Sequence, residues 1–171
     1  MIPKDKPVFC QAPDEETIKE QGFQQVQVIA ERVAWEGMTI HRFGGVHGKG
    51  ELAVAMGPVS GFGFVQDEDS IYVAGDTIWH EEVVRALATL KPKMTVLNAG
   101  GAQFVEGEPI TMVPSEIIRV KEHAPETKVV AVHMDSINHC LVSREDLLFA
   151  LGAKGMEGKI EIPADGEVVF L

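Results

Sequence analysis

Three side chains able to bind metal or move protons stand where folds tend to place chemistry. Asp76 ends the run Ile71-Tyr72-Val73-Ala74-Gly75-Asp76, and His133 directly follows Val129-Val130-Ala131-Val132, so each closes an apolar stretch that reads as a buried strand. His47 lies among Gly44, Gly45, Gly48, Gly50 and Gly57, a density of glycine that favours close backbone approach or positive φ. Strand ends that open into loops are common positions for functional residues. Imidazole with carboxylate suits Zn2+, Mn2+ or Fe2+ better than Ca2+, which prefers an all-oxygen shell. Spacing leaves plainer roles open: Asp76 before Thr77 also fits a helix N-cap, His133 a hydrogen-bonded core residue, and His47 a turn.

A second group follows in Ser136-Ile137-Asn138-His139-Cys140. His139 is the candidate catalytic residue, because an imidazole titrating near neutrality can orient a substrate or donate a proton; a solvated loop histidine is the alternative. Trp79 and His80 stand after the Gly75-Asp76-Thr77 turn, where they could line a pocket, although Trp79 serves equally well as core. His41, alternating within a strand, and His123, beside Pro125 at a helix end, read as structural. Cys10 and Cys140 are far apart and form no C-x-x-C pair, so neither a thiolate zinc site nor a disulfide framework is indicated.

The elements around these residues follow from periodicity. Pro7 to Cys10 is a short strand before an acidic helix start at Asp14-Glu15-Glu16, capped by Gly22. Gln25 to Val46 alternates as two or three roughly antiparallel strands with a turn at Glu36-Gly37, and a glycine-rich loop follows. Ser60 to Val65 and Ser70 to Ala74 form a hairpin across Asp67-Glu68-Asp69. A helix bearing Val83, Leu87 and Leu90 stops before Pro92, and Met94 to Leu97 is the next strand. Pro114 opens a helix carrying Ile117 and Val120, Val129 to Val132 is a strand, and Ser143 with Asp146 caps a helix that stops at Gly152. A last hairpin is expected between Lys159–Ile162 and Val168–Phe170.

Bulk properties narrow the classes. The 171 residues, 45% hydrophobic, suffice for one core, so residues 1–171 are expected to form a single domain. A formal charge of −11 argues against nucleic acid and anionic membrane, since both recruit clustered Lys and Arg. No apolar signal core and no membrane-length apolar run is present, and a cytoplasmic location is expected.

An ordered series of motifs changes the weight of these observations. Val46-His47-Gly48-Lys49-Gly50, Gly57-Pro58-Val59-Ser60-Gly61-Phe62, Ile71 to Thr77, Val96-Leu97-Asn98-Ala99-Gly100-Gly101, the Met112 region and Val130-Ala131-Val132-His133-Met134 span nearly the whole chain. Together they resemble the later motifs of metallo-β-lactamase-fold metal-dependent hydrolases, in the L-ascorbate-6-phosphate lactonase-like branch. The resemblance implies an α/β fold, a partial αββα sandwich with a mixed sheet and helices on one face. It implies that His47 is the third histidine on a first metal, Asp76 a carboxylate bridging two metals, and His133 the last histidine on the second. The cofactor would be Zn or Mn, activating water against a small-molecule substrate.

The branch's earlier His-x-His-x-Asp-His motif has no counterpart here: none of His41, His47, His80, His123, His133 and His139 lies two residues from another. The chain is therefore expected to be a truncated member or half of a split enzyme, with metal absent or substoichiometric and little activity alone. A non-catalytic binding or structural remnant is the alternative. A half-sandwich would expose an apolar sheet face, so a homo-oligomer or a partner chain is expected to cover it.

Overall fold

Pro7–Cys10 (β1) and Gln25–Val28 (β2) form a small parallel pair, joined by a 3-10 turn and the helix Glu15–Glu20 (α1). The computed structural model describes residues 2–105, 107–135 and 137–171, so Ser136, which figures in the sequence reading, lies outside the described residues. Parallel pairing of β2 corrects the antiparallel expectation for this stretch. The α1 connection carries the chain back to the same end of the pair, as a parallel crossover requires.

The main sheet has seven strands in sequence order: Arg32–Trp35 (β3), Met38–Gly45 (β4), Val59–Gln66 (β5), Asp69–Val73 (β6), Met94–Asn98 (β7), Lys128–Val132 (β8) and Ile160–Glu161 (β9). Tight turns at Glu36-Gly37 and Asp67-Glu68 make β3 to β6 antiparallel neighbours. From β6 onward each strand returns through a helix and pairs in parallel. The helices are Gly50–Met56 (α2), Glu81–Leu90 (α3), Pro114–His123 (α4) and Arg144–Ala153 (α5).

The strand registers divide the sheet into two unlike faces. Tyr72, Thr95, Val129 and Ile160 are cross-strand partners, and Leu97 faces Ala131 beside them. Most of this row joins Val83, Ala86 and Leu87 of α3, Ile117 and Val120 of α4, and Leu147 and Leu151 of α5 in one core. Gly63 belongs to the same face, where a β-carbon would run into the Leu90 side chain, so glycine is what lets α3 lie flat on β5. The other face presents Phe62, Val73, Val96 and Val130 in register, and the first three are only half-buried. Helices on one face of a mixed sheet match the sequence expectation.

Three local expectations change. Gly44 and Gly45 end β4, and Glu51-Leu52-Ala53-Val54-Ala55-Met56 supplies good helix formers for α2, which the surrounding glycines mask in the sequence. The closing hairpin does not form: β9 pairs with the free edge of β8, and residues 168–170 are not strand, although Lys128 Nζ reaches the Phe170 carbonyl. Helix α5 continues through Gly152 to Ala153, because its Ser143 cap and the buried Leu147 and Leu151 outweigh one glycine.

Candidate functional site

Asp76 and His133 follow the carboxyl ends of β6 and β8, and Asn98 ends β7 between them. Parallel strands bring these three ends to one edge of the sheet, where the loops of an open α/β sheet gather. Asn98 donates its side-chain amide to Asp76 Oδ1 over 2.6 Å. Asp76 is not a helix cap: α3 begins five residues later, capped by His80, whose Nδ1 accepts from the Glu82 amide. His80 is thereby assigned a structural role rather than a pocket one. Trp79 packs against the core, edge-on to His123 and beneath Arg119. His41 stacks on Phe43 within the sheet.

Thr77, 1% exposed, ties the His47 loop to the Asp76 loop. Its Oγ1 accepts from Val46 N at 2.9 Å, and Ile78 N donates to the Val46 carbonyl at 2.9 Å. Two short loops remote in sequence thus become one rigid corner, with His47 half-buried beside Asp76. Burial is the main influence on His47 and pulls its pKa below the ordinary value. The Asp76 charge opposes that shift, while His133 and His139 reinforce it.

His133 is half-buried and has φ of 63°, in the left-handed region that histidine enters more readily than branched residues; Asp135 follows at 64°. Arg144 holds that turn, donating to Asp135 Oδ2 at 2.6 Å and to the Pro163 carbonyl at 3.0 Å. Cys140 Sγ lies 3.6 Å from His133 Nδ1. Burial raises the Cys140 pKa, and the nearby Asp76 charge adds to that. The segment carrying His139 and Cys140 is fastened to the loop after β7: Ala102 bridges Cys140, Gln103 N donates to the His139 carbonyl and Val142 N to the Gly100 carbonyl.

His47 and Asp76 line one cleft, and His133, with His139 in the loop that follows it, ends the strand two places along the same sheet edge, so the candidates are ranged along one edge of the sheet. Thr77, Asn98 and Cys140 stand among them, and sequence inspection gave them no role there; the adjacency of Thr77 to Asp76 and the strand-end position of Asn98 were the available signals. The donor types suit a divalent metal, yet among the described residues no three His, Cys, Asp or Glu side chains close on a common point that could hold one. A cleft of about 330 Å³ opens beside His47 and Asp76, lined also by Phe9, Gln11, Ser60 and Phe62. A cleft of about 350 Å³ at the opposite end of β7 and β8, between the ends of α3 and α4, is mostly apolar and remote from this chemistry. No helix among the described residues is long and apolar enough to cross a membrane.

No profile of a known protein family matches the chain. Over 170 residues it is 34% identical to the UPF0173 protein YddR of Bacillus subtilis (strain 168), covering 98% of this chain and 67% of that one. Among solved structures, a possible metal-dependent hydrolase from Veillonella parvula DSM 2008 superposes with a TM-score of 0.94 at 35% identity, over 99% of this chain and 68% of the other. An isothiocyanate hydrolase from Delia radicum gut bacteria gives 0.90 at 37% identity, over 99% and 69%. YhfI of Bacillus subtilis, a metallo-β-lactamase fold protein, gives 0.69 at 10% identity over 96% and 63%, a likeness of fold alone.

Proposed function

The chain belongs to the UPF0173 family, and from that premise we propose that it is part of a metal-dependent hydrolase in which His47, Asp76 and His133 hold one side of a two-metal site. The observation that supports this reading is that loops bearing two imidazoles and a carboxylate follow the ends of β4, β6 and β8 along one edge of the sheet, with Thr77 joining the His47 and Asp76 loops. Two similar structures, at 35% and 37% identity, are a possible metal-dependent hydrolase and an isothiocyanate hydrolase. Zinc or manganese is the metal proposed, because imidazole and carboxylate suit both.

A divalent metal at such a site supplies Lewis acidity, making water nucleophilic near neutral pH and offsetting negative charge as it develops on the substrate. The chain's own residues do the rest. Asp76 brings the negative charge that favours cation capture, His47 and His133 contribute neutral imidazole nitrogens, and Thr77 keeps the His47 loop against Asp76. His139, half-buried in the same group, is assigned to substrate orientation or to proton donation to the leaving group. Three donors are fewer than a two-metal site needs, so other donors complete it, and activity of these residues alone is expected to be low.

The substrate proposed is a small electrophile open to attack by water. An isothiocyanate is the first probe, given the relative that bears that name; a sugar-phosphate lactone is the second, from the branch-level resemblance. The deciding measurement is elemental mass spectrometry on protein purified without a metal-affinity tag, compared with an Asp76→Ala, His133→Ala double variant. Metal bound by the first, even below stoichiometry, and lost in the second is expected. Equal metal content in both would sink the assignment.

A further inference from the structure

The cleft beside His47 and Asp76 lies between β5 on one side and β1 with α1 on the other. Val59 of β5 pairs with Gly45 at the end of β4, and Phe62 pairs with Val73 at the end of β6, so the cleft runs from the sheet edge inward along the half-buried face. Phe9, Ile18, Val59 and Phe62 give it an apolar, half-buried lining. We propose that this cleft holds the uncharged, apolar body of a small-molecule ligand and turns anions away, with Phe9 and Phe62 as specificity-determining residues and the exposed Asp14 as the charge filter. The binding preference stands on the cleft itself; that its occupant is a substrate rests on the hydrolase reading above.

The uncharged polar side chains of the wall are already engaged. Ser60 Oγ donates to Gln11 Oε1 at 2.7 Å, and Gln11 Nε2 donates to the Pro58 carbonyl at 2.7 Å. Arg42 Nη1 donates to Ser60 Oγ at 3.1 Å, while its Nε and Nη2 are spent on the Ile29 and Ala30 carbonyls. A polar group brought against Gln11 or Ser60 competes with these bonds, whereas an apolar group only takes the Phe9 and Phe62 rings out of water. Charge acts in the same direction. No Lys or Arg is among the described residues that line the cleft, and Asp14 and Asp76 both are. An anion entering it gives up hydration, meets two carboxylates and finds no cation to pair with. The volume of about 330 Å³ is at the lower end of the roughly 300–1,000 Å³ of small-ligand clefts. Of the two candidate substrates, the uncharged isothiocyanate fits this lining and the sugar-phosphate lactone does not.

The test titrates the isotope-labelled 171-residue chain with two probes that share one body, benzyl alcohol and benzyl phosphate, at neutral pH in EDTA, and follows the backbone amide resonances by NMR. Benzyl alcohol should shift the amides of Phe9 and Phe62, and benzyl phosphate should bind about 10-fold more weakly or worse. Phe62→Ala should weaken benzyl alcohol about 5-fold, and Asp14→Lys, on an exposed side chain, should narrow the gap between the two probes. Melting temperatures of the variants serve as the fold control. Benzyl phosphate binding as tightly as benzyl alcohol, benzyl alcohol leaving the Phe9 and Phe62 amides unmoved, or an unchanged gap in folded Asp14→Lys would each overturn the inference. Since EDTA is present and no turnover is read, these outcomes leave the metal assignment standing, and equal metal content in the wild type and the Asp76→Ala, His133→Ala variant sinks that assignment without touching the cleft's preference.

Discussion

A β-carbon added to Gly100 would collide with the carbonyl oxygen of His133 and with the sulfur of Cys140, so the loops after β7 and β8 touch through a residue without a side chain. One obstacle is backbone and cannot rotate away. Gly100→Ala is therefore expected to destabilise the protein by about 1–3 kcal/mol, the range for forced overpacking, measured by urea denaturation. A loss below a few tenths of a kcal/mol would mean that the two loops are free to separate.

Stability should decline in mild acid through His41. Burial is the main cause of its lowered pKa, and the facing Arg32 adds to it. A histidine whose folded pKa lies below its unfolded value leaves stability intact above the unfolded pKa, near 6.5. As pH falls through that value the unfolded chain takes up the proton first, and stability drops until the folded pKa is passed. Urea midpoints at pH 7.5 and 5.5 should therefore differ less in His41→Gln than in wild type; equal differences would assign the acid sensitivity elsewhere.

His139 separates binding from chemistry. If it orients substrate or moves a proton, His139→Ala should lower the hydrolytic rate by about 100-fold or more while metal content stays at the wild-type level. Loss of metal in parallel with rate would make it a ligand, and an unchanged rate would leave it a solvated loop residue.

The half-buried row of Phe62, Val73 and Val96 is expected to be covered in solution by a second copy or a partner chain. Sedimentation velocity at micromolar concentration should show a dimer or larger species, and Val96→Lys should shift it toward monomer. A single monomeric boundary for the wild type would count against self-association.

Much of this protein was legible in its sequence because local rules and burial agree there. The strands of Val129 to Val132 and of Met94 to Leu97 are apolar runs too short for helices, Pro92 and Pro114 bound helices where backbone chemistry demands, and the Ser143 cap forms as its spacing to Asp146 implies. The same local reading placed Asp76 and His133 at strand ends. Tertiary structure decided the rest, since no periodicity records which strand edges remain free or which loops meet. It set β9 beside β8 instead of folding the tail into a hairpin, paired β2 with β1 in parallel, and hid α2 among glycines. It also decided that Thr77 locks the His47 loop, that Asn98 holds Asp76, and that Cys140 meets His133, contacts made across 31, 22 and 7 positions of sequence. Residue type announces what a side chain can do; only the packing of the parallel strand ends brings these side chains to one another.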